Sequence, residues 1–587
     1  MIFNTHIEKI SNLIINYYRE YEILNKHIQV QQTRKEFEGD WTIVLFPFVK
    51  ITKHPLSDLG AQLGEFLKEN LDFVFDFNIV GGFLNLKFTD DFWFKILDFS
   101  FSQDFEINSA TNKHIVVESC SPNTNKPLHL GHLRNILLGH AVANILVADG
   151  NQVTRVQIIN DRGIHICKSM LAWIKFGEGE TPDISKQKGD YFVGKYYVLF
   201  EQKYQEEQKI LINQGHSVES AKENSELLNE AKDLLRKWED GDKSTLDLWQ
   251  QMNAWVYKGF DATYNKIGVS FDKNYYESDT YLIGKRYVLD GVNTGVFYQK
   301  PDSSIWVDLE SHNLDNKLLL RSDGTAVYMT QDLGTAIVRY DELTFDKMIY
   351  VVGNEQNHHF SVLFSILSKT GNVWSSNLHH LSYGMVNLPD GKMKSREGTV
   401  IDIDDLLEEM YDKSKSIMLN SSKIDPEDVE DLSVVVGDAA LKYFILKPDA
   451  KKNILFNPEE SIDFNGHTGP FIQYTYARIQ SILKKTDSFT RKFRVERPLL
   501  DEERVLIKLI LNYPLTIRQA SLSLNPAILA NYLYSLSKEY NHFYQKIPIL
   551  NPEDKNDVNF RVTISEKISL LIFKGMDLLG IKVPLKM

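Results

Sequence analysis

Apolar residues recur along the chain with two spacings, near 3.6 residues and near two, and the order of those spacings divides it into units. The opening MIFNTHIEKISNLIINYYRE sets His6, Glu8 and Lys9 among apolar residues, which predicts an amphipathic helix and not a signal peptide. Helical patterns flank Trp41–Phe48, and Gly81–Thr89 alternates as a half-buried strand does. Residues 1–110 are predicted as a small α+β domain, with the polar run SQDFEINSATNK leading out of it. A short β-branched run, His114–Ser119, follows; then a loop, a helix over 131–148, the stop Asp149-Gly150-Asn151, and a strand over Val153–Asn160. Strand, helix and strand within about fifty residues imply parallel pairing through a right-handed crossover. Residues 111–418 are read as one α/β unit, interrupted over about 183–265 by a charged helical insertion lying on its surface. Strand patterns resume at Ser303–Leu309 and Lys347–Gly353. Beyond Gly391 the chain reads as almost wholly helical, a junction over 419–465 and then an all-α module over 466–587.

Composition adds limits. Hydrophobic content of 43% and charged content of 25% describe a soluble globular protein. No uninterrupted apolar run reaches the roughly 18 residues of a membrane span. Cys120 and Cys167 are the only cysteines, so neither a disulfide framework nor a cysteine-built zinc site can form, and a reducing cytoplasm is the expected setting. The net charge of −13 hides an asymmetry. Residues 466–587 carry 18 Lys and Arg against 11 Asp and Glu, while the rest carries 48 against 68. A basic module on an acidic body suits a polyanion-binding appendage, and equally a solvated helical surface.

The candidate chemistry begins in SPNTNKPLHLGHLRN, Ser121–Asn135. A helix N-terminus after a parallel strand presents unpaired N–H groups and a positive dipole end, a ready phosphate site. His129 and His132 straddle Gly131 there and can donate to phosphoryl oxygens as charge builds in a transition state. The plain alternative is a pair of capping or core histidines. Downstream, GKMKSREGT places Lys392, Lys394 and Arg396 in a Gly-rich basic loop able to close on a triphosphate.

HLGH and KMKSR, in this order, resemble the H-I-G-H and K-M-S-K-S signatures of the class I aminoacyl-tRNA synthetases, which share a Rossmann-type fold. VVESCSPNTNKPLHLGHLRN, SDGTAVYMTQDLGTAIVRY, FDKMIYVVGNEQNHH, GKMKSREGTVID, FNGHTGPFIQYTYARIQSIL and the terminal GMDLLGIKVPLKM resemble the arginyl members in particular. The resemblance implies ATP-dependent activation of L-arginine to arginyl-adenylate and transfer to the 3′-terminal ribose of tRNA-Arg. It assigns His129, Gly131 and His132 to ATP, with Gly131 making room for adenine, and Lys392, Met393, Ser395 and Arg396 to the same substrate, Lys392 holding pyrophosphate. The signature's second lysine is replaced by Ser395; Lys126, three residues before His129, is the favoured substitute, with Lys394 the alternative. Magnesium enters on the ATP phosphates, and no protein metal site and no zinc are expected.

A guanidinium is planar, permanently charged and rich in donors, so a selective pocket needs carboxylates. The family frame points to Glu118 and Asp332, with Tyr328 one helical turn before Asp332, and to Asn123 and Gln356 around the amino and carboxylate ends. Gln331 stands where arginine is expected; Asp161 is either a site acid or a helix cap; His358 and His359 are read as core or adenine-pocket packing, not metal ligands. The C-terminal module resembles an anticodon-binding domain in which tyrosines, including Tyr474, Tyr476, Tyr532, Tyr534, Tyr540 and Tyr544, can stack bases, although each alone suits a core. Tyr474, Arg478, Lys484, Lys485, Arg491 and Lys492 are the tRNA candidates, and residues 1–110 the expected elbow contact. A monomer with no membrane partner completes the reading. Two rivals are a small nucleotidylyltransferase, which would be about half this length, and a retired synthetase-like RNA-binding paralogue.

Overall fold

The computed structural model describes residues 2–34, 36–105, 112–387, 401–420, 425–486, 491, 493, 495–550 and 555–587. Lys392, Met393, Lys394, Ser395, Arg396 and Lys492 lie outside these residues.

Five strands form the central sheet: β1 (His114–Glu118), β2 (Gln152–Ile159), β3 (Lys273–Tyr276), β4 (Lys347–Gly353) and β5 (Leu378–Tyr383). Their order is β5-β4-β1-β2-β3 and every pairing is parallel. The chain winds one way from β1 to β3 and the other way through β4 to β5, so β1 and β4 flank a switch point of a doubly wound sheet. The helix after β1, Leu130–Ala148, is buried on nearly every side, with Leu133, Ile136, Leu137, Ala141 and Ile145 in the core. Each such leucine or isoleucine contributes roughly 1.5–3 kcal/mol of hydrophobic stabilisation.

The insertion is helical, as its charge pattern predicts. Gly189–Asn213 and Lys243–Ile267 are its long helices, and Ile164–Phe176 packs against the first of them. Residues 1–105 hold a four-stranded antiparallel sheet (Val30–Gln32, Trp41–Val44, Phe83–Phe88, Val74–Val80 in spatial order) under helices. The C-terminal module is four long helices: Gly469–Leu483, Asp501–Ser523, Ala527–Lys546 and Lys555–Leu578.

Candidate active site

The histidine motif sits where β1 turns into its helix. His129 is the helix N-cap: its Nδ1 accepts from Gly131 N–H at 3.2 Å, and the Nδ1 of His132 accepts from His129 N–H at 3.1 Å. The capping alternative and the phosphate reading are thus compatible. With both Nδ1 lone pairs engaged, the ring protons belong on Nε2, which are left to donate. Burial, aided by the nearby Lys126 charge, depresses His129 to about 3 and His132 well below its ordinary range, so both rings are neutral. Gly131 has a second reason to be glycine: a Cβ there would lie 3.0 Å from His129 Cε1 and displace the folded-back ring. Lys126 is desolvated and its charged form disfavoured, with no carboxylate beside it among the described residues.

The same helix holds both roots of the lysine loop. Arg134, fully buried, donates to the carbonyls of Gly384 and Met385, just before that loop, and to those of Ala450 and Lys452 on the strand-side segment beside them. After it, Leu130 N–H donates to Ile401 O at 3.3 Å and Ile403 N–H to Leu128 O at 3.0 Å. Asn135 takes the Cys120 N–H at 2.6 Å and donates to Val351 O at 2.7 Å, tying the β1 loop to β4. Cys120 and Ser121 both adopt left-handed backbone, at φ of 80° and 49°, a strained turn that this bond holds. Sequence reading passed over Arg134 and Asn135, although a charged and an amide side chain inside a largely apolar helix were the available signal.

Four carboxylates gather at the carboxyl ends of the strands. Glu118 ends β1, is buried, and pairs with Arg339; Ser121 Oγ donates to its other oxygen at 3.3 Å. Arg339 lies over Tyr275 at 4.8 Å and leaves its Nε and Nη2 without partners. The internal cation therefore already answers Glu118. Asp332, in the helix Tyr328–Leu343, instead meets His359 Nε2 at 2.6 Å. That contact corrects the packing role expected for the two histidines: His359 faces a site carboxylate and His358 is exposed. Tyr328, Asn123 and Gln356 line the same end of the sheet; Tyr328 and Gln356 are exposed, and Asn123 bridges to Asn160.

Glu277, the residue after β3, is the site acid that sequence reading missed. It opens the helix Glu277–Asn293, which crosses Tyr328–Leu343 at glycine contact; a Cβ on Gly284 would fall 1.9 Å from Thr330 O. That crossing brings Glu277 within the field of Asp332. Burial, then Asp332 and Asp161, push the Glu277 carboxyl up to about 8. Asp161 resolves as a cap: its carboxylate accepts from Ser278 N–H at 3.0 Å and Ser278 Oγ at 2.7 Å, fixing the residue next to Glu277. The signal was a repeated one, an acid at the end of β1, two residues past β2 and directly after β3. Among the described residues no cluster of three or more His, Cys, Asp or Glu side chains could hold a metal ion.

In the C-terminal module Arg478 lies between Tyr474 and Tyr544, 4.8 and 4.7 Å from the ring centres, and donates to Asn541. Tyr474, Arg478 and Tyr544, with Lys485 and Pro548, line a groove of about 610 Å³. Lys484 is exposed beside it, whereas Arg491 is engaged by Glu566 at 2.6 and 2.9 Å. Tyr476, Tyr532 and Tyr540 are core, and Tyr534 stacks on His467 at 3.9 Å. Two of the six tyrosines therefore face the groove.

Comparison with known proteins places this arrangement. The profile for the catalytic domain of tRNA synthetases class I (R) matches residues 98–457, and that for the DALR anticodon binding domain matches residues 472–587. The arginine–tRNA ligase of Bacteroides thetaiotaomicron is 50% identical over 576 residues, 96% of each chain. That of Flavobacterium psychrophilum is 50% identical over 584 residues, 97% of each. The arginyl-tRNA synthetase of Thermus thermophilus shares the fold along both whole chains, with a TM-score of 0.81 at 23% identity. The chain belongs to the class I tRNA synthetases (R), with that family's parallel-sheet catalytic domain and a helical DALR domain.

Proposed function

We propose that the chain is an arginine–tRNA ligase whose two steps run at the β1–β4 switch point. The carrying observation is a cluster of carboxylates, Glu277 and Asp332 foremost, at the same sheet end as two neutral imidazoles on a helix N-terminus; Arg162, whose charge eases Glu277, is itself paired with Glu239 at 2.8 Å. An ionised carboxylate cluster is costly until a guanidinium enters it, and a neutral analogue such as citrulline leaves that cost in place. Glu118 contributes through Arg339, shaping the pocket floor while its own charge is answered.

MgATP is the co-substrate. In the first step the arginine carboxylate attacks the α-phosphorus in line and pyrophosphate leaves. His129 and His132 donate from Nε2 to phosphoryl oxygens without titrating, and Lys126 supplies the positive charge that Ser395 does not. Positioning dominates, because no covalent intermediate with the protein is needed. In the second step a hydroxyl of the 3′-terminal ribose of tRNA-Arg attacks the adenylate carbonyl and AMP leaves. Tyr474, Arg478, Lys484 and Lys485 meet the anticodon loop by stacking and phosphate contact. Every group named comes from one chain, so a monomer in the cytoplasm suffices. The test is ATP–pyrophosphate exchange with each of the twenty amino acids, with and without tRNA-Arg. Exchange driven best by an amino acid other than arginine overturns the assignment.

A further inference from the structure

The insertion touches the nucleotide site at two places, and both contacts fall on segments that carry its phosphate-facing groups. Lys188, immediately before the helix Gly189–Asn213, reaches out of the insertion. Its ammonium donates to Asp190 at 3.0 Å, to Thr263 Oγ1 at 2.5 Å, and to Asp404. Asp404 opens the helix Ile403–Leu419, and the backbone directly before it is paired with Leu128–Leu130, which includes His129. One turn further along the insertion helix, Gly194 packs on the other segment: a Cβ there would lie 2.8 Å from Pro127 Cδ and 3.5 Å from Lys126 Cα.

We propose that Lys188 is a positioning residue for the nucleotide site: through Asp404 it holds Ile401–Ile403 against Leu128–Leu130 and so sets His129. The insertion thereby becomes a support for the histidine motif as well as an appendage of the α/β unit. The electrostatics make the support one-sided. Asp190 is fully buried with one carboxylate oxygen unpartnered, and Asp402 and Asp404 lie close by. Lys188 is the cation that all three share; of the three, Lys266 reaches Asp404, at 3.4 Å, and it is held more closely by Glu408, at 2.7 Å. Without Lys188 the acids repel one another across the joint between insertion and histidine loop. The inference rests on the ATP-dependent reaction proposed above.

The experiment is steady-state charging of tRNA-Arg by the full chain, with K188M, K188R and T263V. K188M is expected to raise the KM for ATP about tenfold and lower kcat, with the KM for arginine within about twofold of wild type, because only the phosphate-facing segments shift. K188R, which keeps the cation, restores most of the loss. Equal rises in both KM values, or no change in the KM for ATP in a folded K188M, overturn the proposal. Should K188M fail to fold, T263V decides, since it removes the one hydroxyl that accepts from Lys188 and donates to Asp404 at 2.8 Å: a selective rise of about threefold in the KM for ATP supports the positioning role, and unchanged kinetics overturn it. A wild-type chain that does not charge tRNA-Arg with arginine sinks the reaction itself, an outcome distinct from an indifferent K188M.

Discussion

Glu277 shares a poorly solvated space with Asp332 and Asp161, and the consequence can be measured. Burial and the two neighbouring acids oppose the charge and push the Glu277 carboxyl up to about 8. A carboxyl raised in the fold costs stability as pH climbs from its ordinary range toward 8, since the unfolded chain ionises first. A bound guanidinium reverses the balance and favours the ionised form. Arginine binding at pH 7 is therefore expected to release close to one proton, with affinity rising toward pH 8 and levelling above it. Titration calorimetry at pH 7 in buffers of different ionisation enthalpy reads this directly; release should vanish in E277Q, and no release in the wild type would contradict the account. Lys126 presents the opposite case, a desolvated ammonium with no described counterion, for which a triphosphate is a fitting partner. Lys126→Ala is expected to cut pyrophosphate exchange by about a hundredfold, far more than Lys394→Ala. Equal losses would give the role to the loop. The histidine motif was legible in sequence because a cap, a glycine and two imidazoles act within four residues. Glu277 and the His359–Asp332 contact were not, because each depends on two helices meeting that lie far apart in the chain.

The helix Leu130–Ala148 works as a strut with chemistry at one end and an anchor at the other. Its apolar pattern and its Asp-Gly-Asn stop gave its limits to within a residue. The pattern could not show that it is enclosed on nearly all sides, nor what holds its far end. That end is Asp149, the helix C-cap, buried to 1% exposure, whose Oδ2 accepts from Arg518 Nη1 and Ser521 Oγ, both at 2.6 Å. Arg518 and Ser521 belong to the DALR helix Asp501–Ser523, so one element spans from the imidazoles to the second domain. Arg518→Met would leave the buried carboxylate with a single hydroxyl and is expected to cost about 2 kcal/mol. Asp149→Asn removes the charge in question, so the double variant should recover part of that loss, and thermal unfolding of the four proteins measures the coupling. Strict additivity would show that the pair does not join the domains.

Across the whole molecule the three modules and their order were legible from pattern and charge, while their contacts were not. The basic excess of the C-terminal module suggested a surface for polyanions, yet much of it is answered inside the protein. Arg504 pairs with Asp90 and Lys508 with Asp40 of the first domain, Arg518 with Asp149 of the catalytic domain, and Arg491 with Glu566. At the Tyr474–Arg478–Tyr544 groove, the surface proposed above for RNA, no such pair is formed among the described residues: Arg478 is held by two rings and Asn541. The last eight residues run along the joint between the catalytic domain and the DALR helix Gly469–Leu483, where their carbonyls serve a buried donor on each side. Lys442, 4% exposed, donates to Gly580 O at 2.8 Å, and the fully buried Gln473 donates to Lys582 O at 2.7 Å. Deleting residues 580–587 takes one acceptor from each, leaving the Lys442 ammonium to Asp438 and Ile267 O and the Gln473 amide to Val435 O, a loss that packing does not replace. The truncated chain is expected to unfold several degrees lower, and to unfold its catalytic and DALR domains in separate steps where the full chain unfolds them together. Scanning calorimetry distinguishes these outcomes. A single transition at the wild-type midpoint would mean that the tail rests in this joint without fastening it, and that the remaining links, Asp149 with Arg518 and Tyr443 Oη with Ala530 O among them, suffice to join the two.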